Sequence, residues 1–154
     1  MSRPNAPRRP RGIAAVEMAL ILPTFVLLLA LPLFLGRALY HYQIMHRAAH
    51  DAARYLSSCT ALELRTPART AAVVAAARAI AAAELEGTHA GSSAPAVSIS
   101  CDGAQCTGLL LPTVITVQIS TVLEDDVFPY YSYNLVGTSG MPLVVPVSMH
   151  YVGN

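Results

Sequence analysis

Residues 18–35 read MALILPTFVLLLALPLFL, eighteen positions without a charge in a chain of 154. As a helix rising about 1.5 Å per residue the stretch covers roughly 27 Å, and with Ile13–Val16 ahead of it the ~30 Å hydrocarbon core of a bilayer. Twelve of the eighteen are Leu, Ile, Phe or Val, worth roughly −4 to −7 kcal/mol toward insertion. Glu17 stands at the end of the run, where it costs less than the ~2.5–3.5 kcal/mol of a charge at mid-bilayer. The sequence predicts one membrane-spanning helix near the N-terminus.

Charge sets its orientation. Arg3, Arg8, Arg9 and Arg11 precede the span with no acid among them. Such a cluster holds an N-terminus in the cytoplasm, so the remainder is expected to be exported, as in a single-pass inner-membrane protein. Three segments follow from this: an Arg- and Pro-rich cytoplasmic leader over 1–12, a span over 13–36, and an exported domain over 37–154. The leader is expected to be disordered through residue 11. After residue 12, six arginines face nine Asp and Glu, and there is no lysine. Nothing in that balance makes a nucleic-acid surface.

The apolar run continues into an amphipathic one. Leu39, Tyr42, Met45, Ala49, Ala52 and Leu56 recur at helical spacing and are expected to face the exported domain. The helix therefore runs from Ile13 to about Ser57, roughly 67 Å if unbroken, with Pro23 and Pro32 as places where it kinks or loosens. Thr66-Pro67 opens a second, alanine-rich helix and Gly87 closes it. Val73, Val74, Ala77, Ile80 and Ala81 form its expected packing face. Residues 88–95 are a loop by composition. Ala96–Cys101, Val114–Leu123 and Leu143–Val152 are then rich in Val, Ile and Thr, with CDGAQC as the turn between the first two. The fold class this implies is α+β, a long N-terminal helix and a second helix packed against an antiparallel sheet of three or more strands.

The functional signal lies in RRPRGIAAVEMALILP, residues 8–23. An Arg-rich leader ends in Gly12, and an ionisable residue, Glu17, enters an apolar run five positions later. A carboxylate there either reaches the headgroups or serves a partner. The arrangement resembles a type IV prepilin processing site, in which cleavage follows the glycine and glutamate becomes the fifth residue of the mature chain. The resemblance implies cleavage between Gly12 and Ile13 by a prepilin peptidase. It also implies that Glu17 pairs with the Ile13 amine of a neighbouring subunit, which makes burial of the charge tolerable.

GIAAVEMALILP followed by FLGRALYHYQIMHRAAHDAARYL is similar, more narrowly, to the TadE-like family of the tight-adherence (type IVc) pilus system. Ala14, Ala15, Val16, Glu17, Ala19, Leu20, Leu22 and Pro23 carry the first part of the likeness, with Met18 where an aromatic is commoner. Arg37, Tyr40, Gln43, Ala48, Ala52, Ala53, Arg54 and Tyr55 carry the second. The resemblance implies a minor pilin or pseudopilin that takes part in pilus assembly, and through the pilus in adhesion. Its partners would be prepilin peptidase, other pilins, the inner-membrane assembly platform and lipid. It implies no cofactor and no enzymatic activity. The alternative is an uncleaved membrane-anchored scaffold or binding protein of the same machine. A removable signal peptide fits less well, because the apolar run exceeds the usual ~7–15 residues and Arg37 occupies the small-residue stretch Gly36–Ala38.

His41, His46 and His50 depart from the family pattern. His46 and His50 sit one helical turn apart, a spacing able to hold a metal. The intervening Arg47 repels a cation and no HExxH glutamate is present, so the expectation is polar helix surface and no metal site. Glu124-Asp125-Asp126 lacks the spaced oxygens of a calcium loop and reads as a solvated turn. No GxSxG elbow or phosphate-binding glycine loop occurs. Phe128, Tyr130, Tyr131 and Tyr133 crowd one segment, either capping the sheet edge or forming a subunit interface. Three cysteines in an exported domain allow one disulfide. Cys101 and Cys106 flank Asp102-Gly103, an easy chain reversal, and are the favoured pair; the rival ties Cys59 to the sheet.

Overall fold

The computed structural model describes residues 13–88, 94–124 and 140–153. The leader with Gly12, most of the 88–95 loop, Asp125, Asp126 and the aromatic cluster Phe128–Tyr133 lie outside the described residues. Helix α1 spans Ile13–Ser57, α2 Ala61–Leu64 and α3 Pro67–Leu85; strands β1 to β4 span Ala96–Cys101, Ala104–Gln105, Val114–Leu123 and Met141–His150. The chain divides into two compact units, one ending at Arg37 and the other beginning at Ala38, so α1 serves both.

The second unit is the α+β domain. Its strands make one antiparallel sheet in the order β2-β1-β3-β4. Alternation decides which side is covered: Ile115, Val117, Ile119, Thr121 and Leu123 of β3 are buried, joined by Ile99 of β1 and by Leu143 and Val145 of β4. The opposite face is exposed and mixed: Thr116 Oγ1 and Ser148 Oγ are bonded at 2.9 Å across β3 and β4, while Val122 and Val144 stand exposed on the same side. One covered and one wet face is the usual state of an antiparallel sheet. The helices supply the rest of the core through Met45, Ala48, Ala49, Ala52, Ala53 and Leu56 of α1, Leu64 of α2, and Val73, Ala77, Ala81 and Leu85 of α3.

Strand β4 carries Pro142 and Pro146 opposite Val122 and Gln118. The amide of Tyr151 donates to Thr113 O just beyond the paired residues, so odd-numbered positions of β4 bond to β3 and even-numbered ones turn their amides outward. Both prolines therefore stand where their missing N–H would have faced the free edge, and they take two donors off it.

Two hairpin features tie the sheet to the helices. Asp102 (φ 50°) and Gly103 (φ 80°) form the two-residue turn between β1 and β2, a conformation that Asp-Gly adopts readily. The Asp102 carboxylate then accepts the amides of Thr113 and Val114 at 2.8–3.1 Å and pins the far end of the following loop. In that loop Gly108 (φ 75°) presses on α3, where a Cβ would come 2.8 Å from Pro67 Cα and collide with Thr70 Oγ1. Past β4, the Val152 amide donates to Ser57 O at the end of α1, and the Tyr151 hydroxyl to Cys59 O at 2.8 Å. Val152 thereby binds a carbonyl that the end of α1 leaves without an intrahelical partner, and Tyr151 binds the turn just beyond it.

Several sequence expectations are refined here. Leu39 and Tyr42, expected on the domain-facing side of α1, are exposed, whereas His41, expected on the surface, is 6% exposed. On α3 the buried positions are Thr70, Val73, Ala77, Ala81 and Leu85, with Val74 and Ile80 half-buried. The short helix α2 and strand β2 were not anticipated, and the third long strand begins at Met141, two residues early.

Gly108 and Gly87 both have positive φ, but only Gly108 has atoms where a Cβ would go. Gly108→Ala should therefore lower stability by roughly 1–3 kcal/mol more than Gly87→Ala, the excess being the packing conflict with α3. Paired denaturation curves of the two variants in detergent measure it; equal losses would show that backbone strain alone is at work.

Candidate membrane-anchoring and assembly site

From Ala14 to Leu29 every α1 side chain is exposed, including Leu20 at 72%, Phe25 at 60% and Leu28 at 70%. A water-facing surface does not carry that much uncovered hydrocarbon, and α1 is long and apolar enough to cross a membrane. Two charges bracket the run: Glu17 and Arg37, with no charged residue between them. Twenty residues of helix rise about 30 Å, the thickness of the hydrocarbon core, so the two charges can stand at its two faces together. Pro23 and Pro32 lie inside α1 without ending it. Each removes one intrahelical donor, and beside the first the Thr24 hydroxyl donates to Leu20 O at 3.1 Å.

Glu17 lies four residues after Ile13, the first residue of α1, hence on the same helix face one turn later. Its carboxylate is exposed along that face. Gly12 lies outside the described residues, so the geometry of the Gly12–Ile13 bond is not among the facts of this structure.

The histidines separate. His46 and His50 are exposed on α1, His50 Nδ1 lying 3.7 Å from Asp51 Oδ1, while His41 packs edge-on to the Tyr40 ring. Among the described residues no three His, Cys, Asp or Glu side chains gather as a metal-ligating group. A pocket of about 180 Å³ under the CDGAQC hairpin is lined by Leu64, Thr70, Asp102, Gln105 and Leu110 among others. It falls below the roughly 300–1,000 Å³ of ligand sites, and the Asp102 carboxylate in its wall is already bonded to two backbone amides.

Cys101 and Cys106 are joined by a disulfide with a Cα separation of 5.0 Å, across the β1–β2 hairpin. Cys59 is free and buried, its Sγ donating to Tyr55 O at 3.3 Å. Burial, and secondarily the Glu63 carboxylate, push its thiol above the ordinary value. Burial, with Cys59 second, likewise pushes up the Tyr151 hydroxyl. Glu63 moves the other way because its carboxylate accepts the amide and hydroxyl of Thr60 at 2.9 and 2.8 Å. Sequence reading did not find Leu109 and Leu110, which the hairpin loop leaves 74% and 84% exposed; a run of three leucines reads as core unless the loop around it is known.

An apolar helix with charges at its two ends, continued by an α+β domain, defines a membrane-anchored protein with an extramembrane domain. Residues 12–54 match the model of the family described as TadE-like protein. The chain thus carries the TadE-like segment over nearly the whole of α1, and that family is pilus-associated and in general not enzymatic. No curated protein and no solved structure matches the chain.

Alkylation of the native, non-reduced protein tests the cysteine arrangement. Because the neutral thiol is the favoured folded form, Cys59 should begin to react at higher pH than the same thiol in the unfolded chain. The matching stability is present below the unfolded thiol pKa and lost as pH rises through the folded one. Peptide mapping should return Cys101 linked to Cys106; a peptide linking Cys59 to either would overturn the assignment.

Proposed function

We propose that this protein is a minor pilin or pseudopilin of a tight-adherence pilus, inserted with its N-terminus in the cytoplasm and its domain exported. In this reading residues 1–12 are a leader removed by prepilin peptidase, 13–36 cross the inner membrane, and 37–154 form the exported domain. The observation that carries it is the conjunction of the TadE-like match over residues 12–54 with a helix that starts at Ile13, is apolar and exposed from Ala14 to Leu29 apart from the charge of Glu17, and holds Glu17 in its second turn.

Cleavage after Gly12 frees the Ile13 amine one helical turn from Glu17. A carboxylate at the edge of the hydrocarbon is costly when alone and is relieved by a cation at hydrogen-bonding distance. The amine of an adjacent subunit supplies that cation when helices line up in register, so the pair favours one stagger between neighbours. The partners in this reading are the peptidase, other pilins and the assembly platform. In this reading subunits assemble through the N-terminal helix, and the domain has no catalytic role.

Two measurements test this. N-terminal sequencing of the membrane-extracted protein should begin at Ile13, and Gly12→Val should leave the leader attached; a full-length N-terminus in cells making the peptidase would favour an uncleaved scaffold. Glu17→Ala should leave insertion and cleavage intact while reducing pilus number. Unchanged piliation would mean that Glu17 only reaches the headgroups.

A further inference from the structure

The exposed side of α1 changes character between Tyr42 and Gln43. Leu39, Tyr40 and Tyr42 are 62%, 61% and 43% exposed. Of the exposed helix positions that follow, Gln43, His46, Arg47, His50, Asp51 and Arg54 are polar, and the next exposed aromatic, Tyr55 at 37%, comes more than three helical turns further on. On the other side of the same turns Ala38, His41 and Met45 are buried in the domain core. The domain therefore covers one side of this segment and leaves three large, mostly apolar side chains uncovered on the other. Such a group needs a cover from outside the domain.

Its place in the chain says which cover. The patch begins two residues after Arg37, which closes the uncharged run that starts behind Glu17. A bilayer of about 40–45 Å with a hydrocarbon core of about 30 Å leaves roughly 5–8 Å of headgroup layer on each side. Ala38–Tyr42 advance along the helix by about 7 Å and fill that layer, and Gln43 is the first exposed position beyond it. Tyrosine suits this depth, since its ring packs on acyl chains while its hydroxyl reaches water. Three side chains bounded by polar neighbours are also far short of the roughly 800 Å² per partner of a stable protein interface.

We propose that Leu39, Tyr40 and Tyr42 form an interfacial belt seated in the lipid headgroup layer, so that the water boundary falls at Gln43 and not at Arg37. The belt fixes the depth of α1, and with it the depth of Glu17 at the opposite face. This inference rests on the membrane-anchor reading of α1.

The chain contains no tryptophan, so single substitutions give clean fluorescent reporters in the full-length protein. Tyr40→Trp, Tyr42→Trp, His50→Trp and Leu28→Trp would each be reconstituted, at high lipid excess, in phosphatidylcholine vesicles brominated either near the glycerol or at mid-chain. Trp at 40 and 42 should emit to the blue of Trp at 50 and be quenched several-fold more than it by the shallow bromines, whereas Trp at 28 should respond most to the deep ones. If 28 is quenched but 40 and 42 match 50, the belt does not exist. Blue-shifted emission at 40 and 42 without quenching means that protein covers the patch, which also overturns the proposal. Absence of quenching at 28 removes the membrane reading itself, and the belt with it.

Discussion

One helix has to satisfy two solvents. Up to Arg37 the side chains of α1 are apolar and almost wholly uncovered; from Ala38 a buried stripe runs through Ala48, Ala49, Ala52 and Ala53 to Leu56. Hydrocarbon can surround the first part without loss, because lipid is as apolar as leucine. In water the second part is stable only with its apolar side covered by protein. Everything else in the molecule supplies that cover or the means of holding it.

The holding contacts concentrate where α1 ends. Val152 and Tyr151 reach back to Ser57 and Cys59, so the last strand and the first helix close on each other across the length of the sequence. Nearby, Asp102 and the Cys101–Cys106 bridge stiffen the hairpin loop that Gly108 presses on α3. The hydrogen bonds among them are worth about 1 kcal/mol each. They add little to the total apolar burial but set which end of the sheet meets which end of the helices.

For a membrane-anchored protein this division of labour has a use. The lipid-facing side chains and the first part of the domain core share one helix, and the core does not depend on the lipid-facing ones. The prolines of β4 take donors off the edge of the sheet, which disfavours indiscriminate strand pairing there.

The span, the α+β order, the start of α3 at Thr66-Pro67 and the Asp-Gly turn could all be read from the chain. They rest on composition, on periodicity and on the φ preferences of neighbouring residues, which act over a few positions. The TadE-like segment was legible for the same reason, its pattern being contiguous. The covered side of α1 was legible from Met45 to Leu56 but not in the turn before it: Leu39 and Tyr42 carry the right spacing for a core, yet His41 went in and they stayed out. Hydrophobicity states that a side chain avoids water and does not say whether protein or lipid will shelter it. That choice, like the docking of the C-terminal residues on α1 and the exposure of Leu109 and Leu110, belongs to contacts between distant parts of the chain, and only the folded domain decides it.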